Sequence, residues 1–139
     1  MREVMHTNIY DVKGKVLIYG TCLRDVEKTK FEELEKLFDE SLSLCLEEEH
    51  INMAITKIGA MLSTGQISEL CFASVNRSPH CTQLHYIKHE IERMIPKENL
   101  PPMMNVIIRD GKVYEISDDV IDYSKDLIEL TKKLKENID

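Results

Sequence analysis

The sequence predicts one α/β domain with a mixed, mostly parallel sheet, and three observations carry that prediction. Residues 15–19 and 67–75 are apolar runs of strand length. The stretches between them have helical spacing, and helical crossovers join parallel strands. Residues 105–116 place Asp110-Gly111 between two further apolar runs, a pair that favours the positive φ angles of a tight hairpin turn.

Taken in order, residues 15–19 are too short for a helix, end at Gly20 and read as a buried strand. Residues 8–12 are expected to pair with it through a turn at Lys13-Gly14. Residues 29–48 carry Phe31, Leu34, Leu37, Phe38, Leu42 and Cys45 at helical spacing, which makes Cys45 a small core residue. Residues 52–62 read as a second helix stopped by Gly65, although their β-branched residues leave a strand open. Ser78-Pro79 starts a third helix: serine caps free N–H groups, and proline gives up none that was needed. Its inward stripe is Leu84, Ile87, Ile91 and Met94. Residues 96–102 form a loop. Residues 117–119 then cap a fourth helix with Val120, Tyr123, Leu127, Leu130 and Leu134 on one face.

Composition narrows the function classes. The chain has 139 residues, 42% apolar and 31% charged, and needs no disulfide or metal to fold. A formal charge of −7 disfavours phosphate backbones and anionic lipid, so neither nucleic acid nor membrane is expected as a partner. Cys22, Cys45, Cys71 and Cys81 form no C-x-x-C pair, and no apolar leader is present, which suggests free thiols in the cytoplasm.

Ligands of open parallel sheets sit beyond the carboxyl ends of the strands. Two loops open there: residues 20–25, with Cys22 and Arg24, and residues 76–81. The second is the stronger site. Its helix start attracts anions, with Asn76, Ser78 and Thr82 as polar contacts and Arg77 as a planar clamp for phosphate or carboxylate. Cys81, near the third helical position, is expected to be an activated thiol with His80 beside it. These residues predict a small anionic ligand or a divalent metal such as zinc.

A metal would draw on His80, Cys81, His85 and His89, which lie within ten residues. At ~100° per residue, Cys81 turns about 100° from the inward stripe, His85 about 140° and His89 about 180°. His85 and His89 therefore face solvent or a dimer interface, while His80 falls close to the inward direction. A homodimer through that face or through the last helix is the third expectation, with no catalysis.

Cys71-Phe-Ala-Ser-Val-Asn-Arg77-Ser78-Pro79 resembles the C-x5-R-S-P phosphate loop of low-molecular-weight protein tyrosine phosphatases. That resemblance implies Cys71 as nucleophile, Arg77 as phosphate clamp, Ser78 as thiolate support, and Asp118 or Asp122 as general acid. Residues 72–75 contain no glycine and read as strand, whereas a phosphate cradle is curved. Ser78-Pro-His-Cys-Thr-Gln-Leu-His85 looks like a segment of small uncharacterised proteins from archaea and anaerobic bacteria, implying a stand-alone α/β domain.

Overall fold

The computed structural model describes residues 2–138. Its elements are β1 (Gly14–Gly20), α1 (Leu23–Val26), α2 (Lys28–Glu35), β2 (Glu40–Leu44), α3 (Ile51–Ser63), β3 (Ile67–Val75) and α4 (Pro79–Met94). They continue with β4 (Met103–Arg109), β5 (Lys112–Ile116), α5 (Asp118–Lys125) and α6 (Leu127–Ile138). The strands order as β2-β1-β3-β4-β5; β1 runs parallel to β2 and β3, β3 parallel to β4, and β5 antiparallel to β4. The expected mixed, mostly parallel sheet is present, with six α-helices among the described residues instead of four.

Alternation along the strands divides the core. Val16 and Ile18 pack with Leu42, Phe72 and the apolar faces of α3 and α4. Leu17 and Tyr19 point the other way, onto Leu23 and Phe31 of α1 and α2. The first crossover, β1 to β2, therefore carries its helices on one face. The next two, β2 to β3 and β3 to β4, carry theirs on the other. Right-handed crossovers require this when the winding direction reverses, and it reverses between β1 and β3.

The hairpin forms as its turn residues dictate, with Asp110 at φ 51° and Gly111 at φ 73°. Residues 52–62 are helical.

Four expectations fail for identifiable reasons. Residues 29–48 are not one helix: α2 stops at Glu35, and Ser41-Leu42-Ser43-Leu44 alternates with period two as β2, with its leucines buried. Leu37, assigned to the helix stripe, is 68% exposed. Residues 8–12 form a 3-10 turn rather than a strand, because the Asn8 side chain accepts from the Tyr10 N–H at 2.9 Å and closes a local turn. The last helix breaks at Asp126 (φ −100°, ψ 85°), whose carboxylate accepts from the Glu129 N–H and starts α6. Met94, at the end of α4, is 60% exposed although Leu84, Ile87 and Ile91 of the same stripe are buried; the buried sector extends instead over His85 and Lys88.

Candidate functional site

The reversal between β1 and β3 leaves a cleft at the carboxyl ends of β1, β2 and β3, where an open α/β sheet holds its ligands. Cys22 comes from the turn after β1, Cys45 and Glu47 from the segment after β2, and Ser78, His80 and Cys81 from the start of α4. The cavity is about 40 Å³. About 10–15 Å³ of such space holds one water, so this one has room for an ion or a few waters.

The approach to α4 is locally determined. Arg77 turns the chain through φ 66°, uncommon for a residue with a side chain. Ser78 then caps the helix, accepting from the Cys81 N–H at 3.3 Å, while the Thr82 hydroxyl donates to the Ser78 carbonyl at 2.8 Å. The capping fixes Cys81 in the first turn, buried against Gly20: a Cβ at Gly20 would stand 3.2 Å from Cys81 Sγ. Glycine is what lets that sulfur approach the strand end.

The cleft gathers three thiols. Partial burial raises the Cys22 thiol above its ordinary pKa, and the neighbouring thiols of Cys81 and Cys45 and the carboxylates of Glu47 and Asp25 raise it further. Cys45 was expected in a helix core; it lies here because residues 40–44 are a strand. The alternation after Asp39 was the signal for it, masked by the helical spacing of Phe31 and Leu34 just before. Among the described residues, no three His, Cys, Asp or Glu side chains stand together as a ready metal site.

The other expected site residues scatter. Arg24 lies on the opposite face of the sheet, in a pocket with Tyr19, Glu35 and Asp39. Burial raises the Tyr19 hydroxyl above its ordinary pKa, only partly offset by the charge of Arg24. Asn76 lines a different pocket, with Ile107, Arg109 and Tyr114. Arg77 is exposed, outside the cleft. His80 is exposed at the cleft's edge instead of pointing inward.

Cys71 is fully buried in the middle of β3, among the α1 and α2 side chains, and burial pushes its thiol up to about 12. Residues 71–75 are strand, so no phosphate cradle forms there. Asp118 and Asp122 are engaged on α5 with Lys88 and His89.

His85 is the largest correction. It is 1% exposed, with Nε2 at 2.7 Å from Ser74 Oγ and Nδ1 at 2.8 Å from Asn105 Oδ1; Ser74 and Asn105 are equally buried. The Asn105 amide nitrogen donates to the His85 carbonyl, which leaves Oδ1 to accept from an Nδ1–H. The neutral ring then accepts from the Ser74 hydroxyl at Nε2. Burial lowers the His85 pKa, only partly offset by Asn105.

The reason lies in the sheet: His85 faces Ser74 of β3 and Asn105 of β4, while α5 packs on the neighbouring flank of α4. Tyr86 meets Ser124 at 3.0 Å, Lys88 meets Asp118 at 2.7 Å and His89 meets Asp122 at 3.3 Å. His89 is thus paired across to α5, apart from both His85 and the cleft.

No family model matches the chain, and neither the curated proteins nor the solved structures give a significant match.

Proposed function

We propose that the protein binds one thiophilic metal ion, of the zinc or copper(I) kind, in the cleft at the carboxyl ends of β1, β2 and β3. Cys22, Cys45 and Cys81 are the sulfur donors, and His80 is the imidazole at the rim. The supporting observation is that the turn after β1, the segment after β2 and the first turn of α4 each bring a thiol to one small cavity. Thiolates select such ions, and three cysteines with one histidine is a common zinc composition.

Charge favours a cation over an anion. Glu47 lines the cleft, whereas Arg24 and Arg77 lie outside it. A nucleophilic thiol needs a lowered pKa, but burial and neighbouring negative charge push Cys22 the other way. A cation among the sulfurs turns that repulsion into attraction. Since no three donors are pre-assembled, binding entails that the turns bearing Cys22 and Cys45 close on Cys81. The ion then stabilises the fold by mass action.

The test is titration of the reduced, tag-free chain with Cd²⁺, following thiolate-to-metal absorbance, and with zinc and copper(I) against chromophoric chelators. One ion per chain is expected. Removing partners that merely orient a ligand costs ~10–100-fold in affinity, so Cys22→Ser or Cys81→Ser should cost at least that. Binding no tighter than ~10 µM, or unchanged affinity in both variants, would refute the reading. A Cys22–Cys81 disulfide in a chain whose reduced form takes up no ion would replace it with a redox pair.

A further inference from the structure

The two edges of the sheet are finished differently. At β2 the chain covers its own edge: Glu3 bridges to Ser43, and the Ser43 N–H donates to the Arg2 carbonyl at 2.8 Å. At the far edge β5 pairs with β4 and, among the described residues, with no other strand. The helix that follows, α5, leaves that edge clear by packing on α4. Register fixes which backbone groups remain. Asp110-Gly111 is a two-residue turn, so Arg109–Lys112, Ile107–Tyr114 and Asn105–Ile116 are the hydrogen-bonded pairs. Val113 and Glu115 alternate with them and turn their N–H and C=O groups outward, an open template for another strand. Val113 is exposed on one face of β5 and Tyr114 on the other, so the unpaired edge also carries apolar surface on both sides.

We propose that β5 pairs antiparallel with β5 of a second copy about a two-fold axis, joining the two sheets into one. An antiparallel pair can match these outward groups with its axis at Val113, Tyr114 or Glu115. An axis at Glu115 sets two carboxylates face to face. An axis at Val113 calls on Gly111, whose N–H already donates to Glu27 at 3.2 Å. An axis at Tyr114 sets Val113 against Glu115 of the partner subunit, and the reverse, each pair exchanging both of its hydrogen bonds. The two tyrosines then stand side by side across the axis, where non-hydrogen-bonded side chains come closest. Charge selects a second copy over an unrelated strand. Lys112 comes opposite Ile116 of the partner subunit, just short of Asp119 of the partner subunit. Among the described residues Lys112 and Asp119 have no ion pair of their own, whereas Asp118 is held by Lys88 and Arg109 lies beside Asp110. The pairing gives both a partner, twice by symmetry.

Sedimentation equilibrium of the reduced chain across ~5–500 µM measures the association. One strand makes a small interface, so a dimer with Kd on the order of 10–100 µM is expected. Val113→Pro deletes an N–H that β4 does not use and should be monomeric with the thermal midpoint retained. Lys112→Asp or Asp119→Lys alone sets like charges together at both symmetric places and should weaken the dimer roughly fivefold, whereas the two changes in one chain should restore it to within ~2-fold. Hydrogen exchange read by NMR on the wild-type chain locates the contact: protection of the Val113 and Glu115 amides should grow with concentration. A wild-type chain that stays monomeric at ~500 µM, a dimer that survives Val113→Pro, a charge swap that restores nothing, or protection of those amides that ignores concentration would each overturn the proposal.

Discussion

Replacing His85 by leucine tests the buried Ser74–His85–Asn105 cluster directly. Leucine roughly fills the ring's volume but offers no polar atom, so both neighbours lose their central partner. The two losses differ. Ser74 Oγ lies 3.1 Å from the Val75 carbonyl and can turn its hydrogen there, so its loss is small. Asn105 Oδ1 has no substitute among its hydrogen bonds and is left unpaired in a fully buried site, which costs about 1–3 kcal/mol. With a small contribution from Ser74 the expected loss is about 2–3 kcal/mol, or about 7–10 °C in Tm for a 139-residue domain. The same variant removes a pH dependence. The folded His85 pKa is depressed, so its contribution is fully present above about 6.5, the unfolded value. It is lost as pH falls from there through the lowered folded value, at no more than about 1.4 kcal/mol per pH unit. Urea unfolding of both chains at pH 7.5 and 5.5 separates these effects. Wild type should lose more stability on acidification than His85→Leu. A cost under ~0.5 kcal/mol at pH 7.5, or the same acid sensitivity in both chains, would refute the reasoning.

Three further outcomes follow from single positions. Gly14 stands at φ 80°, and a Cβ there would lie 2.3 Å from Asp39 Oδ2, which accepts from the Lys15 N–H; Gly14→Ala should cost about 2 kcal/mol or more in chemical unfolding. Ser78→Ala removes the cap of α4 and should cost about 1 kcal/mol while loosening Cys81, seen as faster alkylation of that residue by mass spectrometry. Cys71, with its thiol pushed up to about 12 and no exposed surface, should resist alkylation at pH 8 until the chain unfolds. Labelling of Cys71 as fast as exposed Cys22 would contradict its placement.

The fold was legible where one periodicity governed a segment. Residues 15–19, 67–75 and 105–116 each carry a single pattern with its own stop signal, and each is a strand or hairpin. Residues 29–48 carry two patterns in succession, and their helical spacing concealed β2 and with it the position of Cys45. The start of α4 was legible because Ser78 and Pro79 act locally. Its buried sector was not, because it depends on Ser74 and Asn105 of the sheet, which pair with His85, and on α5, which pairs with Lys88 and His89. Asn105 gave a signal that only the sheet interprets: an amide beside Val106, Ile107 and Ile108 needs an internal partner, and His85 is that partner.

Gly20 is where the solvent-facing and the dry halves of the domain come nearest. A Cβ at that position would stand 3.2 Å from the Cys81 sulfur on one side and 3.8 Å from Ser74 Cβ on the other, with His85 directly behind Ser74. Only a hydrogen atom occupies that gap. A methyl group in its place would press on the sulfur at 3.2 Å, so the start of α4 would have to give by a few tenths of an ångström.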